Sequence, residues 1–177
     1  MFKERNLKHQ EFQNKAIELF KNAGFLINVY GQETNIFKEF SNALYQCGDN
    51  ITAKFIRYKP DLALILIKDK KIYLCELKSS CGNEDTIGLE KNSYEMALLL
   101  SKIGVKIFIL FGDFTYNFVE NLEWDTMLVP DRSDNDIEDY KKKYPDKKIV
   151  SISRTQGSGT PFILVKKQCL KKLLSQI

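Results

Sequence analysis

Asp61, Glu76 and Lys78 are charged residues set into two runs of otherwise largely apolar sequence. Asp61 follows Pro60 and opens the run 61–67, whereas Glu76 and Lys78 stand near the end of the run 71–79, beyond the polar turn Lys68-Asp69-Lys70. Two apolar runs joined by a short polar turn read as a β-hairpin. Residues two apart in a strand share a face, so Glu76 and Lys78 point the same way. The hairpin folds the start of its first arm against the end of its second, which brings Asp61 to that pair. Two carboxylates together in a covered sheet are costly, because like charges repel and both lose water. A divalent cation removes that penalty. Hard oxygen ligands suit Mg²⁺, which normally takes one or two protein carboxylates plus water and substrate phosphate. Such an ion lowers the pKa of an attacking water and stabilises charge on phosphodiester oxygens. Lys78 is then placed to orient the water, stabilise the hydroxide or touch the phosphate. The plainer alternative is a turn aspartate after proline and an exposed cross-strand Glu–Lys pair near a sheet edge.

The elements that must hold these residues can be read from periodicity. In the segment 8–23, Phe12, Ala16, Leu19, Phe20 and Ala23 form one apolar helical stripe, and Gly24 suits a left-handed C-terminal cap. Residues 25–30 read as a short strand, 35–45 as a second helix with Phe37, Phe40 and Leu44 inward, 47–50 as a turn and 51–57 as a strand. The two hairpin arms are apolar on both faces, which points to a central sheet covered by helices on both sides. A polar loop 80–86 precedes a helix over 88–103, with Leu89, Met96, Leu99, Leu100 and Ile103 buried, and 105–111 is a buried strand. A helix between two strands predicts a right-handed crossover, with that last strand parallel to an earlier one. Residues 131–148 are dense in charge and read as an exposed helix or loop. The runs 149–152 and 162–165 flank a Gly/Ser turn as a hairpin, and 168–175 reads as a short basic helix.

Pro60-Asp61, fourteen intervening residues and Glu76-Leu77-Lys78, in this apolar hairpin and ahead of a helix and strand, resemble the PD-(D/E)XK nuclease signature. The resemblance covers about residues 8–111. It implies a restriction-endonuclease-like fold, an α/β arrangement in which a mixed central sheet is flanked by helices. The α-βββ-α-β core would be followed by a C-terminal hairpin and helix. It also implies Asp61, Glu76 and Lys78 as the catalytic set, with the metal on Asp61, Glu76 and the main-chain carbonyl of Leu77. Many members add an acidic residue from the first helix, for which Glu18 is the candidate. Many also use a polar residue from the helix after the motif, whose first turns hold Glu90, Lys91 and Tyr94. The cofactor implied is Mg²⁺, for which Mn²⁺ can substitute.

The 177 residues are expected to form one domain, with residues 112–177 a C-terminal extension of the core. There is no apolar run of about 18 residues, as a membrane helix needs, and no signal-peptide core near Met1, so a cytoplasmic setting is expected. The four cysteines, Cys47, Cys75, Cys81 and Cys169, contain no C-x-x-C pair, and only His9 could join them, so neither zinc nor disulfides are expected. A net charge of +4 permits a nucleic-acid partner without demanding one. Of 27 basic residues only four are arginines, so the basic set suits phosphate contact better than guanine reading; a plain lysine bias is equally in keeping with it.

Candidate contacts to nucleic acid are Lys59, Lys91, Tyr94, and Arg154 and Gln156 in the loop Arg154-Thr155-Gln156-Gly157-Ser158-Gly159-Thr160, which reads equally as an ordinary hairpin loop. The pairs Lys166-Lys167 and Lys171-Lys172 suit backbone contact or solubility. The leading expectation is a DNA endonuclease, structure-directed like a resolvase or repair or phage enzyme, or of restriction type. Duplex cutting would favour a homodimer, since two strands need two sites. A non-catalytic nucleic-acid-binding module on the same fold, and a ribonuclease, remain open.

Overall fold

The computed structural model describes residues 2–30, 38–48, 50–80, 82–131, 134–153 and 160–173. The first helix, α1 (Phe2–Asn22), ends where Gly24 takes the left-handed conformation, with φ at +85°. The turn leads into β1 (Leu26–Val29). Helices α2 (Lys38–Gln46) and α3 (Ile51–Arg57) come next, then β2 (Leu62–Leu66) and β3 (Lys71–Lys78), joined by a single 3-10 turn at Ile67–Asp69. The next strand and helix are β4 (Thr86–Glu90) and α4 (Lys91–Lys102). After them run β5 (Ile107–Phe111), β6 (Thr115–Phe118), β7 (Trp124–Pro130), α5 (Asp134–Lys143), β8 (Lys148–Ile152), β9 (Phe162–Lys166) and β10 (Lys171–Lys172).

Six strands form a mixed sheet in the order β1-β2-β3-β5-β6-β10. β3 and β5 are parallel, as the crossover rule requires, and the other neighbours are antiparallel. On one face, Phe12, Ala16 and Phe20 of α1 pack on Leu62, Leu64, Cys75, Leu77, Phe108 and Leu110. On the other, Ile107, Ile109 and Phe111 meet Ala97 of α4 and a second sheet, β4-β9-β7-β8, through Ile87, Leu89, Met127, Ile163 and Val165. The expected mixed central sheet between helices is therefore present, and one of its covers is part helix and part sheet. That cover stops short. Leu26 faces Ile65 and Ile65 faces Ile72 across the strands, and all three stay exposed, at 56%, 40% and 63%.

Several local expectations are corrected. Residues 51–57 are helical, not a strand, because the Asn50 side chain accepts from the backbone N–H of Thr52 and Ala53 at 2.9 and 3.1 Å. A good cap satisfies two orphan donors and outweighs the strand preference of Ile51 and Thr52. Residues 88–90 are strand rather than helix. Ile87 and Leu89 are buried while their neighbours are partly exposed, and β4 pairs along its length with β9. The runs 149–152 and 162–165 do not form a hairpin, since β7 lies between β8 and β9, parallel to the first and antiparallel to the second. In place of a terminal helix, a 3-10 turn at Lys167–Cys169 leads to β10, whose Lys171 and Lys172 pair with Tyr116 and Thr115 of β6. Strands β6 and β7 come from residues to which the sequence reading assigned no element. Residues 112–173 thus complete both sheets, and α5 carries the charge-rich segment.

Phe20 is 2% exposed and meets Phe25 and Phe108 edge-on, with ring centroids 5.9 Å away in each case. Phe20→Ala is expected to lower unfolding free energy by about 3–5 kcal/mol in urea titration, as core phenylalanine deletions do. Ile72→Ala, on the uncovered face, should cost less than ~1 kcal/mol. Equal losses at both positions would contradict this assignment of core and surface.

Candidate active site

The register of β2 on β3 sets the site. Leu62 stands opposite Cys75, so Asp61, one residue before β2, falls opposite Glu76. Asp61 is held at both its main chain and its side chain. Tyr30 N–H donates to the Asp61 carbonyl at 2.6 Å, continuing the β1–β2 ladder, and Leu77 N–H donates to Asp61 Oδ2 at 2.7 Å. Leu62, Leu64, Cys75 and Leu77 belong to the α1 core. Strand alternation therefore turns Glu76 and Lys78 to the opposite face, toward α4. There Lys78 Nζ lies 2.7 Å from Glu76 Oε1, and Glu76 is only 7% exposed.

Glu90 joins them. It is the last residue of β4 and the N-terminal flanking residue of α4. Burial pushes its carboxyl pKa up and Glu76 adds to the rise, against the opposing pull of Lys78 and a hydrogen bond with Thr160. Burial works against the Lys78 ammonium, but Glu76, Asp61 and Glu90 outweigh it, so the Lys78 pKa is raised and the side chain stays charged. Beneath the site, burial and then the Asp61 and Glu76 charges raise the Cys75 thiol well above its usual value, which keeps it a neutral core group.

Three carboxylates among the described residues thus face one ammonium, an excess of negative charge in a partly buried site. Among the described residues, no group of three or more His, Cys, Asp or Glu side chains is arranged to hold a metal ion as it stands. Mg²⁺ does not need such a cage, since it keeps several waters and takes one or two carboxylates plus substrate phosphate. Asp61, Glu76 and the Leu77 carbonyl match that hard-oxygen chemistry, and the excess negative charge is of the sign a divalent cation would balance.

The other sequence candidates lie elsewhere. Glu18 is exposed on α1, the helix that packs on the opposite face of the sheet. Lys91 is 6% exposed; its ammonium pairs with Glu95 at 2.7 Å and sits 5.2 Å from the Tyr140 ring centroid. Tyr94 meets Trp124 edge-on at 6.3 Å. Lys59 lies over the ring of Tyr30 at 4.8 Å, next to the residue that anchors the Asp61 main chain. Arg154 and Gln156 lie outside the described residues.

Two contributors escaped the sequence reading. Thr160 reaches Glu90 because β9 pairs with β4, which no local pattern announces. Asn92 Nδ2 donates to Tyr58 Oη at 3.0 Å, tying the first turn of α4 to the segment just before Asp61.

Behind the site, Glu95 ties α4 to α5. It accepts from Lys91 and Lys143 at 2.7 and 2.8 Å and from the Tyr144 hydroxyl.

No protein-family model matches this sequence, and no curated protein matches it. Among solved structures the chain is similar to Hjc of Archaeoglobus fulgidus, a Holliday junction resolvase from an archaeal hyperthermophile. The identity is 13% and the TM-score 0.41, over 66% of this chain and 76% of that one. A score of that size describes a partial coincidence of chain path and leaves the functional reading to the residues themselves.

The Glu95 network has a pH signature. Burial opposes its charge, but hydrogen bonds from Lys143, Lys91 and Tyr144 more than offset this and lower its pKa from 4.5 to about 2. A carboxylate depressed in the folded state adds stability that is complete above its unfolded value and is lost as pH falls through its folded one. Wild type should therefore exceed Glu95→Gln by ~1–2 kcal/mol at pH 7, allowing for partial exposure. That margin should shrink as pH falls from about 4.5 to about 2. A margin in urea midpoints that does not change over this range would argue against the network.

Proposed function

We propose that this protein is a metal-dependent nuclease of the PD-(D/E)XK type, acting on DNA phosphodiester bonds through Asp61, Glu76 and Lys78. The observation that carries this reading is the meeting of Asp61, Glu76 and Glu90 around the Lys78 ammonium, with Glu76 buried and the other three partly buried, and with Asp61 and Glu76 set opposite each other by strand register. A structural ion pair needs one carboxylate for one ammonium; the surplus invites a cation.

When bound, Mg²⁺ or Mn²⁺ would supply Lewis-acid stabilisation of the phosphate and acidify the attacking water. Asp61, Glu76 and the Leu77 carbonyl would hold it, and Glu90 is placed to steady water on the same side. Lys78, kept charged by its neighbours, would hold the nucleophile or a phosphate oxygen at a position the strand determines. The Leu77 N–H holds one Asp61 oxygen in place, so the carboxylate is oriented before substrate arrives.

Cutting both strands of a duplex calls for two sites, hence a homodimer, and the reading extends to a structure-directed or restriction-type enzyme. Lys59, Tyr94, Arg154 and Gln156 are proposed contacts to nucleic acid, whereas Glu18, on the far side of the sheet, and Lys91, buried in its pair with Glu95, are left out of the site. RNA is the other polymer this chemistry would cleave.

Supercoiled plasmid incubated with Mg²⁺ or Mn²⁺ should be nicked or linearised. EDTA should stop the reaction, and Asp61→Ala or Lys78→Ala should each lower the rate by about a hundredfold or more, as loss of a transition-state stabiliser does. Folded variants that cut as fast as wild type would remove these residues from the mechanism. A folded wild type that tightens on DNA with metal yet cuts neither plasmid, branched DNA nor RNA would favour a non-catalytic binding module.

A further inference from the structure

A groove of about 870 Å³ runs beside the candidate site, between α3, the exposed side of α4 and the start of β7. Four aromatic residues line it: Tyr58, Tyr94, Trp124 and Tyr144. They form a connected set, with Trp124 edge-on to both Tyr94 and Tyr144. Four lysines, Lys54, Lys102, Lys147 and Lys166, lie along the same walls. The acidic groups are Glu95, Glu123 and Asp125. Glu95 is neutralised by Lys91 and Lys143, and Asp125 by Lys166 at 3.1 Å. With Lys166 counted against Asp125, Lys54, Lys102 and Lys147 stand against Glu123, a basic balance.

None of Asp61, Glu76, Lys78 and Glu90 lines the groove, but its end at the hydrogen-bonded Asn92 and Tyr58 comes near enough to the candidate site for the Glu90 charge to be felt at Tyr58. From Asn92 to Lys102 it follows α4 for about 15 Å at the helical rise. We propose that this groove holds a single-stranded stretch of nucleic acid leading to or from the scissile phosphate, with lysines on the backbone and bases against the partly exposed rings of Tyr58, Tyr94 and Tyr144, around the buried Trp124. Alternating cations and aromatic rings in a channel are the pattern by which single strands are held without sequence preference. Over about 15 Å of helix, a volume of about 870 Å³ leaves a cross-section of roughly 7–8 Å on a side, which admits one strand and not a duplex. The proposal rests on the nuclease reading and narrows its substrates to those with an unpaired segment beside the cut, such as flaps, gaps and branched ends.

Trp124 is the chain's single tryptophan, so its fluorescence reports the groove without any cleavage. A 12-nucleotide oligothymidylate titrated into the full chain in EDTA should quench or shift that emission; a blunt duplex of equal length should not. The Lys54→Ala/Lys102→Ala variant should bind the single strand roughly tenfold more weakly, with a shallower salt dependence. Lys102→Glu alone, at an exposed position, should weaken it too.

If the oligonucleotide binds by anisotropy while Trp124 and both variants give no response, the strand lies elsewhere and the proposal is overturned. A response to thymidine monophosphate alone, with none to the oligonucleotide, makes the groove a small-molecule pocket and also overturns it. Failure of the nuclease reading is separable: Trp124 quenching would persist with no metal-dependent cutting of any substrate, whereas cutting without quenching sinks only the groove.

Discussion

The pairing register of β2 and β3 is the constraint on which the rest depends. With Leu62 against Cys75, four apolar side chains enter the α1 core and Asp61, Glu76 and Lys78 meet on the other side. A slip of one residue would reverse every side chain, putting charge against Phe20 and Leu77 into water. Core and site are thus two faces of one register. The energy that holds it comes from the buried apolar face, since three like charges round one lysine would on their own drive the strands apart.

The site sits where two sheets meet. The central sheet supplies Asp61, Glu76 and Lys78, and the second sheet delivers Glu90 at the end of β4 and braces it with Thr160 from just before β9. Glu90 then hands the chain to α4, whose first turn is tied back to Tyr58 through Asn92. The N-terminal end of α4 is therefore held from two directions. Further along, Glu95 joins it to α5 through Lys143 and Tyr144. Such cross-ties oppose small displacements of Glu90, and small displacements matter where a charged group must act at a set distance. The same helix forms one wall of the basic aromatic groove, so the candidate reaction centre and the groove share a rigid element.

The uncovered row of Leu26, Ile65 and Ile72 shows the other side of this economy of elements. The second sheet and α4 cover the β5 side of the central sheet and leave the outer end of the β1–β2–β3 face open.

The local sequence by itself determined the hairpin, its apolar flanks, the α1 stripe, the crossover to β5 and the convergence of Asp61, Glu76 and Lys78. All of these follow from period-2 and helical spacing or from a short turn, which need only neighbours in the chain. It misread residues 51–57, where one Asn50 cap outweighs strand propensity, and residues 88–90, where β4 exists because β9 lies beside it. Only the tertiary structure decided that β7 separates β8 from β9, that Lys171 and Lys172 close the central sheet, that Lys91 turns to Glu95 while Glu90 turns to Lys78, and that α1 carries Glu18 on the far face. Those outcomes depend on which distant backbone groups pair and which charges come within reach. A residue's neighbours in sequence hold no record of either, because strand partners and ion pairs are chosen by the competition among all the chain's edges and charges at once.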